Sequence, residues 1–100
     1  MGYRVIFSPE ARRHLDDLFD WIAREASLEV ASRYIERIIG FCEGITNFPR
    51  RGSPRDEIRV GLRTLVFKRR VTIAYSVKGE IVTVVGIFSA GRNIEVVPEE

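Results

Sequence analysis

Residues 62–88 read LRTLVFKRRVTIAYSVKGEIVTVVGIF, and their patterning decides the fold. Leu62-Arg63-Thr64-Leu65-Val66-Phe67 is dense in β-branched and aromatic side chains and predicts one strand. From Arg70 to Val77 a second strand alternates, with Val71, Ile73, Tyr75 and Val77 on one face and Thr72, Ala74 and Ser76 on the other. Glu80 to Phe88 is apolar on nearly both faces, as expected of a central strand. Lys78-Gly79 is short enough for a tight hairpin, so the stretch predicts a three-stranded antiparallel meander.

Upstream, Arg51-Gly52-Ser53-Pro54-Arg55 is rich in turn residues and predicts a linker. Before it lies a helical pattern with Ala31, Tyr34, Ile35, Ile38, Cys42 and Ile45 on one face, capped by Ser27 and ended by Asn47-Phe48-Pro49. An earlier helix opens at Ser8-Pro9-Glu10: serine as cap, proline at the first position, an acid near the positive end. Its stripe is Ala11, Leu15, Leu18 and Ile22, flanked by Phe19 and Trp21, and it ends near Ala26. So little chain separates the two patterns that they should form an antiparallel hairpin. Tyr3 to Phe7 predicts a first strand, and the tail from Ile94 to Glu100 has no decisive period. The order is strand, two-helix hairpin, meander, with both helices on one sheet face: an α+β fold. Val30, Phe41 and Phe48 fall off the main face of the second helix. With Trp21 they mark either surface to be covered by a partner or residues that the sheet wraps round to reach.

The 100 residues allow one domain, 1–100, with a thin core whose stability a bound partner could raise. No apolar run approaches the ~20 residues that span a bilayer. The N-terminal apolar segment is too short for a secretory signal, and Phe7 stands where myristoylation favours serine or threonine. The single Cys42 cannot form an internal disulfide, which fits a reducing cytoplasm, and its place on the apolar helix face predicts a packed thiol. The net charge of +2 conceals an asymmetry, because residues 50–70 carry eight cations against Asp56 and Glu57. Such a block is either a solvated loop and strand edge or a surface for a polyanion.

The residues limit the chemistry. His14 and Cys42 lack metal-ligand spacing, and Asp16, Asp17 and Asp20 suit a solvated helix face. No nucleophile elbow or phosphate-cradling glycine loop is present, so neither a cofactor nor a small-molecule substrate is implied. Metal-free RNA cleavage needs an acid, a base and cations. Arg59, Arg63, Arg69, Arg70 and Arg92 supply cations, but no histidine or tyrosine lies in the last strand or tail, and Tyr75 falls on an apolar face. No catalytic set is therefore assigned.

Several segments form a set: Ser8-Pro9-Glu10-Ala11 after an opening strand, Leu15-Asp16, Trp21-Ile22, Ala31 to Ile35, and Phe48-Pro49-Arg50-Arg51-Gly52-Ser53-Pro54-Arg55. Gly61-Leu62-Arg63, Ile73 to Val77 and the closing Ile87-Phe88-Ser89-Ala90-Gly91-Arg92-Asn93 complete it, from about residue 3 to 95 in order. Together they resemble the ParE/RelE superfamily of toxins, the ParE branch most closely. The resemblance implies the toxin of a type II toxin–antitoxin module, neutralised by a ParD-like antitoxin with a segment that folds on binding. ParE-like members poison DNA gyrase; RelE-like members of the same fold cut messenger RNA on the ribosome. Ser89 stands where the family often has histidine or tyrosine, and Ser76 where it often has arginine, which favours the gyrase-binding branch over the nuclease. Exposure and charge then nominate Trp21, Phe41, Phe48, Arg63, Arg69, Arg70 and Arg92 for the antitoxin, and Arg59, Arg63 and Arg92 for the target.

Overall fold

The computed structural model describes residues 2–89. Strand β1 (Arg4–Phe7) leads into helices α1 (Pro9–Glu25) and α2 (Leu28–Glu43), a 3-10 turn at Gly44–Asn47, and strands β2 (Ser53–Pro54), β3 (Leu62–Phe67), β4 (Val71–Lys78) and β5 (Ile81–Ser89). Both helices begin where serine can cap them. Ser8 Oγ accepts the Ala11 N–H at 3.1 Å and Ser27 Oγ accepts the Val30 N–H at 3.1 Å, each satisfying a donor that the first turn leaves open.

The five strands form one sheet in the order β1-β5-β4-β3-β2. The expected meander is β3-β4-β5, and β5 is an interior strand, flanked by β1 and β4, while β4 holds the middle of the sheet. β1 lies parallel to β5, with Arg4 opposite Ile81 and Phe7 opposite Val84, because the two helices carry the chain across before the sheet is built.

Ala11, Leu15, Leu18 and Ile22 of α1 meet Ala31, Ile38 and Cys42 of α2 over Ile73, Tyr75, Val82, Val84 and Ile87. Val84 and Ile87 are three residues apart, a spacing that ordinary alternation would send to opposite faces. A bulge in β5 resolves this: Tyr75 pairs with Val84 and Ala74 with Gly86, so the extra residue Val85 turns Ile87 back to the helices. Val85 instead joins Leu62, Ala74, Phe88 and Ile58 in a small cluster on the far face.

The structure corrects the sequence reading in three places. The expected linker contains β2, whose Ser53 and Pro54 pair with Thr64 and Arg63. The second helix tightens at Gly44 into a 3-10 turn, although Ile45 stays buried as its spacing predicts. The β4–β5 turn is Gly79–Glu80 rather than Lys78-Gly79, with Gly79 at φ 61 supplying the positive angle such hairpins need. The tail from Ile94 lies outside the described residues.

Candidate interaction surfaces

The cationic block divides around β3. Lys68, Arg69 and Arg70 form the β3–β4 hairpin at one end of that strand. Arg50, Arg51, Arg55, Arg59 and Arg63 gather at the other. The ends are separated by the length of β3, on the order of 17 Å.

At the hairpin, the Arg70 N–H donates to the Phe67 carbonyl at 3.0 Å, closing a four-residue turn. Its two central residues, Lys68 and Arg69, have φ of 51° and 61°. Paired positive angles match a type I′ turn, the geometry that Asn-Gly adopts without strain. For lysine and arginine the left-handed region costs about 1–2 kcal/mol per residue. Lys68 extends over the Phe67 ring at 5.7 Å, while all three cations are exposed.

Arg70 also lines a groove of about 910 Å³. Asp17, Asp20, Trp21 and Arg24 of α1 form one wall; Tyr34, Val71 and Ser89 lie across from them. Trp21 is 54% exposed, large for an indole on a domain this small. Among the described residues β5 outruns β1, which ends opposite Val84. Beyond that point His14 takes over: its Nδ1 accepts the Ile87 N–H at 3.1 Å, and its ring lies 5.0 Å from that of Phe88. A strand donor left without a neighbouring strand is thereby satisfied.

At the opposite end the chain from Pro49 to Gly52 is held from beneath. The buried Tyr75 hydroxyl donates to the Pro49 carbonyl at 2.9 Å and accepts the Gly52 N–H at 3.0 Å. Arg63 Nη1 donates to the carbonyls of Arg50 and Gly52, both at 2.8 Å. A Cβ on Gly52 would stand 2.6 Å from the Tyr75 hydroxyl and 2.9 Å from the Thr64 carbonyl, so only glycine passes there without displacing something. Asp56 accepts the Gly61 N–H at 2.8 Å, and Glu57 pairs with Arg55 at 2.8 Å. That hydrogen bond from Arg55 holds the Glu57 carboxyl below its ordinary range.

Of the residues nominated from sequence, Trp21 and Arg70 come together in the groove, with Arg69 beside them at the hairpin. Phe48, 67% exposed, and Arg63 sit at the far end. Phe41 is half-buried, its ring 5.3 Å from that of Phe67, because the sheet reaches round to it. Arg59 is half-buried in the turn before β3, and Arg92 lies outside the described residues. Sequence reasoning missed the Tyr75 anchor, since a tyrosine on an alternating apolar face reads as plain core. It also missed Tyr34 as groove wall and His14 as a strand partner. Cys42 is fully buried, and burial, then the Glu43 charge, pushes its thiol up to about 12. No group of three His, Cys, Asp or Glu side chains that could hold a metal occurs among the described residues. Nor is any helix among them long and apolar enough to cross a membrane.

Comparison with known proteins gives a consistent result. Residues 5–94 match the family model described as the ParE toxin of the type II toxin–antitoxin system parDE. Toxin ParE3 of Caulobacter vibrioides is 31% identical over 91 residues, covering 91% of this chain and 90% of that protein. Toxin ParE1 of Mycobacterium tuberculosis is 31% identical over 80 residues, covering 80% and 81%. Among solved structures, a chain of the chromosomal ParDE system from P. aeruginosa superposes with a TM-score of 0.77 at 20% identity, covering 88% of this chain and 96% of that one. A chain of the RelBE2 toxin–antitoxin complex from Mycobacterium tuberculosis gives 0.69 at 18% identity, covering 89% and 99%. At those identities the likeness is one of fold.

Proposed function

The chain belongs to the ParE toxin family of type II toxin–antitoxin systems, and from that membership we propose that it arrests DNA gyrase by binding, in the cytoplasm, until a ParD-like antitoxin covers it. The observation that carries the mode of action is the commitment of His14 and Tyr75 to the fold. His14 gives Nδ1 to a backbone N–H, and the Tyr75 hydroxyl both donates and accepts inside the protein. Strand cleavage requires a proton acceptor and a proton donor at the scissile phosphate. With those two rings committed and no other acid–base pair assigned, the toxin in this reading acts by occupying its target.

The groove beside Trp21 is the antitoxin's seat in this reading. Its apolar floor and exposed indole suit the anchors of a segment that folds on binding, and Arg69 and Arg70 suit acidic side chains on it. Arg59, Arg63 and Arg92 remain candidates for the target side, with Arg63 serving first to hold the loop beneath it.

Purified protein incubated with gyrase, ATP and relaxed or supercoiled plasmid tests the target. Inhibited supercoiling or accumulated cleaved complex is expected. Unchanged topology at large toxin excess, with new 5′ ends appearing inside codons of translated messages, would transfer the chain to the RelE-like nuclease activity.

A further inference from the structure

The loop end of β3 carries a feature that neither the antitoxin groove nor the core accounts for. Four successive positions, Phe48 to Arg51, expose an aromatic ring and two guanidinium groups on a backbone fixed from below. Surface loops of a small domain ordinarily move freely, because ordering them costs conformational entropy. Here a buried phenol, a half-buried guanidinium and an obligatory glycine converge to hold one. Phe48 is 67% exposed and contributes nothing to either hydrophobic cluster. Of the nearby acids, Glu57 is paired with Arg55, while Asp56 accepts the Gly61 N–H and lines a small pocket with Arg50. Among the described residues, Arg50 and Arg51 have no carboxylate within ion-pair distance.

We propose that Phe48, Arg50 and Arg51 form a contact surface for a nucleic-acid strand, the two arginines on its phosphates and the phenyl ring on the face of an unstacked base. An aromatic face beside unpaired cations is the arrangement that single strands recognise, since every base offers a π-surface and every linkage a charge. An acidic polypeptide is the competing occupant, and polyglutamate competition distinguishes it from a nucleic-acid strand. The rigid backbone matters because stacking and phosphate contact must be met together, and a preformed loop avoids the ordering cost at binding. The surface lies at the opposite end of β3 from the Trp21 groove, so both can be occupied at once. The inference does not depend on gyrase being the target.

The test uses the whole chain with a fluorescently labelled single-stranded DNA oligonucleotide of mixed sequence, its duplex form, and a salt series. The parent protein should bind the single strand in preference to the duplex, with affinity falling as salt rises. Replacing both Arg50 and Arg51 by alanine should flatten the log–log salt slope by about 1.4, the value for two lost phosphate contacts on a single strand. Phe48→Ala should weaken single-strand binding about ten-fold while leaving the salt slope unchanged. The charge-matched double variant R33A/R37A, on the exposed side of α2, should behave as the parent. Absence of salt-dependent binding, equal loss in the R33A/R37A protein, or competition by polyglutamate as effective as by DNA would overturn the proposal. Supercoiling assays on the same proteins separate the readings: gyrase inhibition without oligonucleotide binding defeats this surface alone.

Discussion

Tyr75 and Cys42 both lie deep in the helix-facing core, and each bears on stability in its own way. Tyr75 reads as an apolar residue in an alternating strand, and it is fully buried, yet its hydroxyl is the anchor of the Pro49–Gly52 loop. Phenylalanine there leaves the Gly52 N–H unsatisfied in a buried setting, which costs about 1–3 kcal/mol. Tyr75→Phe should therefore lower the denaturant midpoint by that amount and increase amide exchange at Gly52. Gly52→Ala should be at least as damaging, because its methyl group meets the Tyr75 hydroxyl and a backbone carbonyl. Cys42 makes a different prediction. Its buried thiol is pushed from 9.0 up to about 12, so the native state keeps a proton that the unfolded chain gives up. The raised value leaves stability whole below pH 9.0 and erodes it as pH climbs through the window to about 12. The slope in that window should approach about 1.4 kcal/mol per pH unit from this group. Cys42→Val should remove that share, measured as the difference between the two proteins' unfolding free energies across pH, so that other alkaline titrations cancel.

At the level of the element, helix starts were legible because capping is local: Ser8 and Ser27 announce themselves within three residues of the donors they satisfy. The limits of β3 were equally plain from composition. β2 was not, since two residues of strand exist only by pairing with Thr64 and Arg63, and nothing local distinguishes Ser53-Pro54 from a turn. The β3–β4 hairpin was legible as a two-residue gap between strand patterns, but its turn type was not. Lys68 and Arg69 contradict the turn geometry they adopt, with φ of 51° and 61°. Replacing them together by Asn-Gly should raise stability by about 1–2 kcal/mol in thermal or denaturant unfolding, less than the summed strain because glycine loses more chain entropy on folding. In the antitoxin reading the same change removes Arg69 from the groove's margin and should weaken the complex, so stability and partner affinity would move in opposite directions. An unchanged melting temperature would show that the strain is relieved elsewhere.

Across the whole molecule, the fold class followed from hydrophobic periodicity, whereas the candidate surfaces did not follow from charge. One contiguous run of cations became two clusters because β3 passes through it. Phe41, which stands apart in a helical projection, is covered by Phe67 from a strand that sequence spacing cannot place. The division predicts separable losses. Trp21→Ala should raise the antitoxin dissociation constant at least ten-fold by titration calorimetry, while leaving oligonucleotide binding intact. A variant that lost both would return the protein to a single continuous surface.

The pairing of β1 with β5 also bears on when the protein becomes itself. Ser8 and Val85 hydrogen-bond across 77 positions of the 100-residue chain. Contacts so remote are the last to form, because loop closure must precede any return from them. During synthesis β1 emerges early and waits for β5. A nascent chain interrupted before Ile81 lacks the strand on which β1 pairs and offers α1 and α2 a sheet without Val82, Val84 and Ile87. For a protein whose finished form is a toxin, biosynthesis thus carries its own delay: the hazard begins only once β5 is delivered.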